Sequence, residues 1–303
     1  MQKISVSIPG GNGRMGRTLI RLILENPKYK LSNATCLPGE EEEGVDIGLL
    51  VGKSKIENTL KSDPSNLFNE ANVLIDFTVP EATMFHARTA SINNVAMVIG
   101  TTGLSVDNEQ ELLEISKKIP IVYSANFSIG VTLLSDLVAN ATQKLGLDWN
   151  IEILEMHHKN KIDSPSGTAL MLGNSAAKVR ERNLSEVKSV ARDGLVGKRL
   201  EDEIGFAVLR GGDVVGEHSV IFANDGERIE LTHKATDRSI FASGALRAAH
   251  WASGAKPGLY SLSDVLSFGG WFYLSLPAIS IKHFSLSIKP LSSVGLIWIK
   301  SVI

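Results

Sequence analysis

Ile4-Ser5-Val6-Ser7-Ile8-Pro9-Gly10-Gly11-Asn12-Gly13-Arg14-Met15-Gly16 is the stretch whose reading decides the fold. Apolar residues at alternate positions, Ile4, Val6 and Ile8, predict a short buried strand that ends at Pro9-Gly10-Gly11. A helical period then runs through Leu19, Leu22 and Ile23 to the breaker Asn26-Pro27, and Leu31 to Leu37 reads as a second strand. Strand, glycine turn, helix and strand in so short a span make a βαβ unit, which commits the chain to a parallel sheet with a right-handed crossover. Glycines at 10, 13 and 16 allow a tight turn, close approach of backbone to a pyrophosphate and close packing of helix on sheet. Asn12 stands where the usual dinucleotide fingerprint has its second glycine. A merely structural glycine turn is the competing reading, and the position of the motif between strand and helix argues against it.

The same grammar continues through Val73–Phe77, a helix from Pro80, Val95–Ile99, a helix near Asn108–Lys117, and Ile121–Tyr123. In an open α/β sheet, ligands bind beyond the carboxyl ends of the strands. Phe77-Thr78, Gly100-Thr101-Thr102 and Ser124-Ala125-Asn126-Phe127 should therefore converge on one crevice. After Ser128 the pattern changes: a helix over Gly130–Leu145, a strand over Ile151–Glu155, a helix after Pro165, and strand-like runs at 206–209, 218–223 and 228–235. The turn Asn224-Asp225-Gly226 suggests antiparallel pairing. The expected fold is an α/β Rossmann-like parallel-sheet N-terminal domain plus an α+β C-terminal domain with a largely antiparallel or mixed sheet. The expected boundaries are 1–128 for the first domain and 129–238 for the second. A helix capped by Asp237 or Ser239 and the residues up to 266 return to the first.

The 303 residues carry a net charge of −2, are 43% hydrophobic and include one Cys, which excludes disorder, collagen and a disulfide scaffold. Near-neutral charge gives no global attraction to nucleic acid or to an anionic membrane, so neither partner is expected. Cys36 has no second cysteine to pair with, and no signal-peptide profile opens the chain, which together point to the cytoplasm. Residues 267–303 break the composition: three Lys, no Asp or Glu, and many apolar residues, leaving −5 on residues 1–266. Interrupted at Lys282, His283, Lys289 and Pro290, this tail lacks the roughly 18 apolar residues of a spanning helix. It reads as an appendage, strand-like over 279–288.

The segment richest in chemistry is Glu155-Met156-His157-His158-Lys159-Asn160-Lys161-Ile162-Asp163-Ser164-Pro165-Ser166-Gly167-Thr168-Ala169. Two His and two Lys within five residues form a compact positive patch, and the Pro-Ser-Gly-Thr turn should open a helix. Free N–H groups there, with hydroxyls from Ser166 and Thr168, make an anion receptor that suits a small polycarboxylate. A His titrating near neutrality beside a protonated Lys offers a proton donor to a centre that receives hydride. A zinc site is disfavoured, because adjacent His residues lack the i, i+4 spacing and no Cys cluster follows, so no metal is expected. Nucleic-acid binding lacks interleaved aromatics; a solvated basic loop is the serious competitor. Arg210-Gly211-Gly212-Asp213 and Gly216-Glu217-His218 read as hairpin turns, and Asp76 and Asn126 as helix-capping residues or site residues alike.

With these residues in view the chain resembles the 4-hydroxy-tetrahydrodipicolinate reductase family, long called dihydrodipicolinate reductase. The match runs from Lys3 to about Leu266, and Glu155–Ala169 looks like the family signature E-x-H-H-x-x-K-x-D-x-P-S-G-T-A. Gly13-Arg14-Met15-Gly16, Asp76-Phe77-Thr78, Gly100-Thr101-Thr102-Gly103, Ala125-Asn126-Phe127-Ser128, Gly216-Glu217-His218 and Gly258-Leu259-Tyr260 match in order. The resemblance implies a homotetrameric reductase of diaminopimelate and lysine biosynthesis, with hydride from NADH or NADPH and loss of water from a hydroxylated ring. It implies that Gly10, Gly11, Asn12, Gly13, Arg14 and Met15 hold the pyrophosphate. Gly100, Thr101 and Thr102, with Ser124, Ala125, Asn126 and Phe127, would line the nicotinamide side. His157 would be the proton donor/acceptor, Lys161 the proton donor, and His158, Gly167 and Thr168 the dicarboxylate ligands.

Two departures stand out. Cys36-Leu37 occupy positions where many members have an acid followed by Arg, and Val79 replaces a common Arg. The choice between NADH and NADPH is therefore open, and residues 267–303 have no family counterpart. Two rivals remain: a related amino-dicarboxylate dehydrogenase, which would not need the His-His-x-x-Lys patch, and a nucleotide-sensing protein without turnover.

Overall fold

The structure, a computed structural model, describes residues 3–190 and 192–267. The expected strand over 279–288 lies outside them. Six strands make the first sheet: β1 (Ile4–Ile8), β2 (Tyr29–Ala34), β3 (Val73–Asp76), β4 (Ala96–Ile99), β5 (Pro120–Tyr123) and, from the far end of the chain, a strand at Gly258–Tyr260. Every pairing is parallel, in the order 258–260, β5, β4, β3, β1, β2. The order reverses between β3 and β2 on either side of β1, which opens a crevice at the carboxyl end of β1. α1 (Arg14–Glu25) follows β1 directly, burying Leu19, Ile20 and Ile23 against the sheet. A short α2 (Ile47–Leu50) lies beyond β2. α3 (Pro80–Asn93) and α4 (Val106–Ser116) pack on the opposite face through Met84, Ala87, Leu112 and Ile115.

β2 ends at Ala34, three residues before the expected limit. There the chain leaves the sheet to bridge Thr35 to Lys61, and the Cys36 N–H donates to the Lys61 carbonyl at 2.9 Å. Cys36 is buried by this detour, whereas Leu37 is exposed.

α5 (Ile129–Leu145) leads into a second, mixed sheet: β6 (Asn150–His157), β7 (Lys188–Ser189), β8 (Ile204–Arg210), β9 (Gly216–Asn224) and β10 (Glu227–Ala235), in the order β10-β9-β6-β8-β7. β9 is antiparallel to both β6 and β10, and Gly226 takes the positive φ that the β9–β10 turn requires. β6 and β8 are parallel instead, because α6 (Gly167–Val179) and α7 (Leu184–Val187) carry the chain back across the sheet between them. Residues alternate along β6, with Ile151 and Ile153 packed under α5 and α6 beside Phe206, Val220 and Phe222.

α8 (Ser239–Ala252) packs on the first sheet rather than the second. Its buried face is Ala242, Gly244, Ala245, Ala248, Ala249 and Ala252, small enough for near contact with the strands. A Cβ at Gly244 would lie 1.8 Å from the Phe127 carbonyl oxygen. The buried Tyr29 hydroxyl donates to the Leu246 carbonyl at 2.9 Å. Arg238 occupies the N-cap position of α8 without capping it through its side chain, while Asp237 accepts from the Ser239 N–H. β11 (Gly258–Tyr260) and α9 (Leu262–Ser267) complete the described chain. Among the described residues no helix is long and apolar enough to cross a membrane.

Candidate active site

The loop after β1 has the form of an anion cradle. Gly10 adopts φ +64°, and the Gly13 N–H donates to its carbonyl at 3.0 Å. A Cβ at Gly16 would lie 2.2 Å from the Gly10 oxygen, so only glycine lets α1 begin this close to the turn. No side chain caps α1 at Gly13, leaving its first N–H groups for a ligand. Pro9, Gly10, Gly13, Arg14, Met15 and Phe77 line a crevice of about 270 Å³ there. These features fit a dinucleotide pyrophosphate. Gly11 faces the other way, with its N–H donating to the Thr35 carbonyl and its Cα against Ala34 and Leu60; Asn12 is half-buried beside it.

The other strand ends converge on this crevice. Asp76 is fully buried and caps no helix. Its carboxylate is 2.7 Å from His86 Nδ1 and accepts from the N–H and hydroxyl of Thr78. Thr83 donates to the Thr101 hydroxyl at 2.7 Å, and Thr101 in turn approaches Asp76. The Thr101 side chain is thus turned inward, while Thr102 is exposed. A Cβ on Gly100 would lie 2.1 Å from the Phe77 ring, and Phe77 meets Phe127 edge to face. Phe127 is buried, so any ligand contact it makes runs through its main chain. Ser124 bonds the Asn126 carbonyl, and Ala125 is exposed. Asn126 does not cap α5, since Ser128 does. Its amide donates across to the Thr168 hydroxyl at 3.2 Å, joining the end of β5 to the start of α6.

The basic segment begins as strand, not loop, because β6 continues through His157. The β6–β8 register sets His157 opposite Arg210, and the β6–β9 register sets Glu155 opposite His218. Glu155 is buried and holds four donors. Arg210 reaches it through two nitrogens at 2.9 and 3.1 Å, the Ser166 N–H lies at 3.0 Å, and His157 Nδ1 lies at 2.5 Å. Burial alone would raise the Glu155 carboxyl, but the bonds from Arg210, His157 and Ser166 outweigh it and hold the group below its ordinary value. An ionised carboxylate only accepts, so His157 carries its proton on Nδ1 and leaves Nε2 unprotonated. Burial, opposed by Glu155, pushes His157 below the usual imidazole value, so it is neutral at physiological pH. Desolvation thus places its titration below that of a free imidazole.

Lys161 lies 2.8 Å from Asp163, with about a fifth of its side chain exposed. His158 Nε2 faces Arg238 at 3.4 Å, and its buried Nδ1 has no hydrogen-bond partner among the described residues. Gly167 is exposed at the first turn of α6. Ser166 departs from expectation. Its buried hydroxyl caps α6 by accepting from the Ala169 N–H and also meets His218 Nε2 at 3.0 Å, so it is engaged inside the protein and not presented to an anion.

Arg210 and His218, read from sequence as turn residues, are therefore parts of the site. His218 stacks edge to face on His157 with centroids 5.1 Å apart, and burial with the neighbouring His157 pushes its pKa down to about 4. Only strand register brings these groups to Glu155; the alternation of β9 was the one signal that could have turned His218 inward. Among the described residues no three His, Cys, Asp or Glu side chains are grouped to hold a metal ion.

Comparison with known proteins shows the family. Residues 4–127 match the family model for the N-terminus of dihydrodipicolinate reductase, and residues 130–266 match that for its C-terminus. The 4-hydroxy-tetrahydrodipicolinate reductase of Afipia carboxidovorans is 48% identical over 269 residues, spanning 89% of this chain and 99% of the relative. That of Magnetococcus marinus is 44% identical over 265 residues, spanning 88% and 99%. A dipicolinate-bound dihydrodipicolinate reductase from Paenisporosarcina sp. TG-14 shares the fold with a TM-score of 0.71 at 24% identity, covering 87% of this chain and 99% of that one.

Proposed function

We propose a division of labour between two facing pockets for this chain, which belongs to the dihydrodipicolinate reductase family and catalyses the NAD(P)H-dependent reduction of 4-hydroxy-tetrahydrodipicolinate in diaminopimelate and lysine biosynthesis. The observation that carries the proposal is the Asn126–Thr168 hydrogen bond, which sets the strand-end crevice of the first sheet against the basic segment of the second. Gly10, Asn12, Gly13, Arg14 and Met15 hold the pyrophosphate on the free N–H groups of α1, and Gly11 supports the loop from behind. Gly100–Thr102 and Ser124–Phe127 form the nicotinamide side. A bound reduced nicotinamide supplies the hydride.

His158 and the α6 start at Gly167 and Thr168 bind the two carboxylates of the substrate. The dipicolinate carried by the solved relative, a planar ring with two carboxylates, is of the size and charge this receptor suits. Hydride reaches one end of the reducible double bond, so the other end must take a proton. Lys161 Nζ donates it, and the neutral His157, fixed by Glu155 with Nε2 free, takes up the ring proton released when the elements of water are lost and returns it to the departing hydroxyl, which leaves as water.

Substrate freshly generated by a coupled synthase should cause loss of reduced-nicotinamide absorbance. Nucleotide binding without oxidation would instead support the sensing protein, and turnover of amino dicarboxylates alone would support the dehydrogenase.

The chain also assembles, in this reading, as a cytoplasmic homotetramer through the second sheet. The face turned away from α5 and α6 presents Leu154, Met156, Ala207, Leu209, Ile221 and Ala223 together with Glu152, Glu217 and Ser219, a mixed surface whose apolar part a partner chain would cover. Sedimentation equilibrium should return the mass of four chains, and a monomer at micromolar concentration would refute it.

A further inference from the structure

The end of β2 normally supplies the group that reads the adenosine ribose: an acid for its hydroxyls, or a cation for a 2′-phosphate. Here Cys36 is buried, Leu37 is an exposed apolar residue, and neither can do so. The structure brings another residue to that place. Pro38-Gly39 turns the chain back, and the carboxylate of Glu42 returns to the glycine loop, accepting from the Asn12 side-chain amide at 3.4 Å through Oε2. Its Oε1 pairs with Arg17 at 2.7 Å.

Arg17 is a cation beside the loop, but its charge is paired with Glu42 and three of its five N–H donors are engaged within the protein. Nε bonds the Asn12 carbonyl at 2.8 Å, one terminal nitrogen bonds the Leu50 carbonyl at 2.7 Å, and the other bonds Glu42. It acts as a clamp from α1 that holds the acidic loop against the cradle. Glu42 is a third exposed, so its carboxylate keeps lone pairs open toward a ligand. Lys61, whose backbone adjoins Cys36, extends instead toward Asn66, 3.5 Å from its side-chain oxygen. The field around the strand end is negative: burial raises the Cys36 thiol, and Glu43, Glu40 and Glu42 raise it further.

We infer that Glu42 is a specificity-determining residue of the nucleotide site, accepting from the adenosine ribose hydroxyls and repelling a 2′-phosphate, so that NADH is the preferred reductant. The inference rests on the dinucleotide reading of the glycine loop and adds the choice between the two nucleotides. A 2′-phosphate brings about −1.5 to −2 charges at neutral pH to a place already held by a carboxylate. Like-charge juxtaposition of this kind is an effective means of rejecting a wrong ligand.

The test is fluorescence titration of the full chain with NADH and NADPH, repeated for Glu42→Gln, together with calorimetric binding of 5′-AMP and 2′,5′-ADP, which probe the adenosine end alone. The parent should bind NADH at least about tenfold more tightly than NADPH, and 5′-AMP more tightly than 2′,5′-ADP. Glu42→Gln should shrink both ratios by about threefold or more, mainly by strengthening the phosphorylated ligand. Equal or tighter NADPH binding by the parent overturns the inference, as do ratios unchanged in a Glu42→Gln protein that melts cooperatively. If the variant does not fold, the parent ratios alone decide. Failure to bind either dinucleotide would overturn the reading of the cradle itself, a distinct result from binding with the opposite preference.

Discussion

Lys161→Ala should lower kcat by about 10²- to 10⁴-fold while changing the dissociation constant of the reduced nucleotide less than about threefold. The asymmetry follows from position. Lys161 stands on the basic segment after β6, whereas the cradle that holds the nucleotide is built from β1, α1 and the ends of β3, β4 and β5. Removing an ammonium that donates its proton only as the double bond is reduced costs transition-state stabilisation and little ground-state nucleotide binding. Stability should move little, because the partner left behind, Asp163, is more than half exposed and is rehydrated when Lys161 is removed. Steady-state kinetics, nucleotide titration and thermal melting separate the three quantities. Equal loss of turnover and nucleotide affinity would remove Lys161 from the proton-donating role.

Glu155→Gln is expected to damage both fold and chemistry. The substitution preserves shape but replaces an acceptor of four hydrogen bonds by a group that is itself half donor, facing Arg210, His157 and the Ser166 N–H. Breaking a buried ion pair on one side costs about 3–5 kcal/mol, because the remaining charge is left without its counterion. The same change frees His157 to take either tautomer and loosens the turn that opens α6, so kcat should fall by at least about 10²-fold in whatever protein folds.

The pH dependence has a definite sign. Glu155 is held below its unfolded value, so its contribution is complete above the ordinary carboxylate range and is lost as pH falls through the folded value. His157 and His218 also have folded values below the unfolded imidazole, so the unfolded chain binds more protons below about pH 6.5 and stability falls with acid there too. Urea titrations of the parent should therefore show stability declining from about pH 6.5 downward, with the loss below the ordinary carboxylate range reduced in Glu155→Gln. A variant that melts and turns over like the parent would show the buried carboxylate to be incidental.

Much of the first sheet was legible because local pattern and tertiary role coincide there. Ile4, Val6 and Ile8 alternate, the glycines follow at once, and each later strand ends in small or polar residues that must lie at one edge of a parallel sheet. The end of β2 was misjudged because Thr35 and Cys36 are as apolar or neutral as strand residues, and only the distant Lys61 draws them out of the sheet. The Ser166 hydroxyl was assigned to a ligand because a helix-opening turn normally offers its polar groups outward. Its occupation by His218, 52 positions away, depends on a register that no local window contains.

By itself, the amino-acid order determined the βαβ start, the change of grammar after Ser128, and the concentration of His and Lys between Glu155 and Thr168, since these depend on spacing along the chain. Tertiary structure alone decided which groups meet. It placed Arg210 on Glu155 and His218 on Ser166 and His157, bridged Asn126 to Thr168, brought Glu42 back to Asn12, and laid the alanine face of α8 on the first sheet. Side-chain protonation followed from the same step, because desolvation and hydrogen bonding are properties of a packed site. The chemistry available to His157 was thus set by neighbours that the fold, and not the sequence interval, brought within reach.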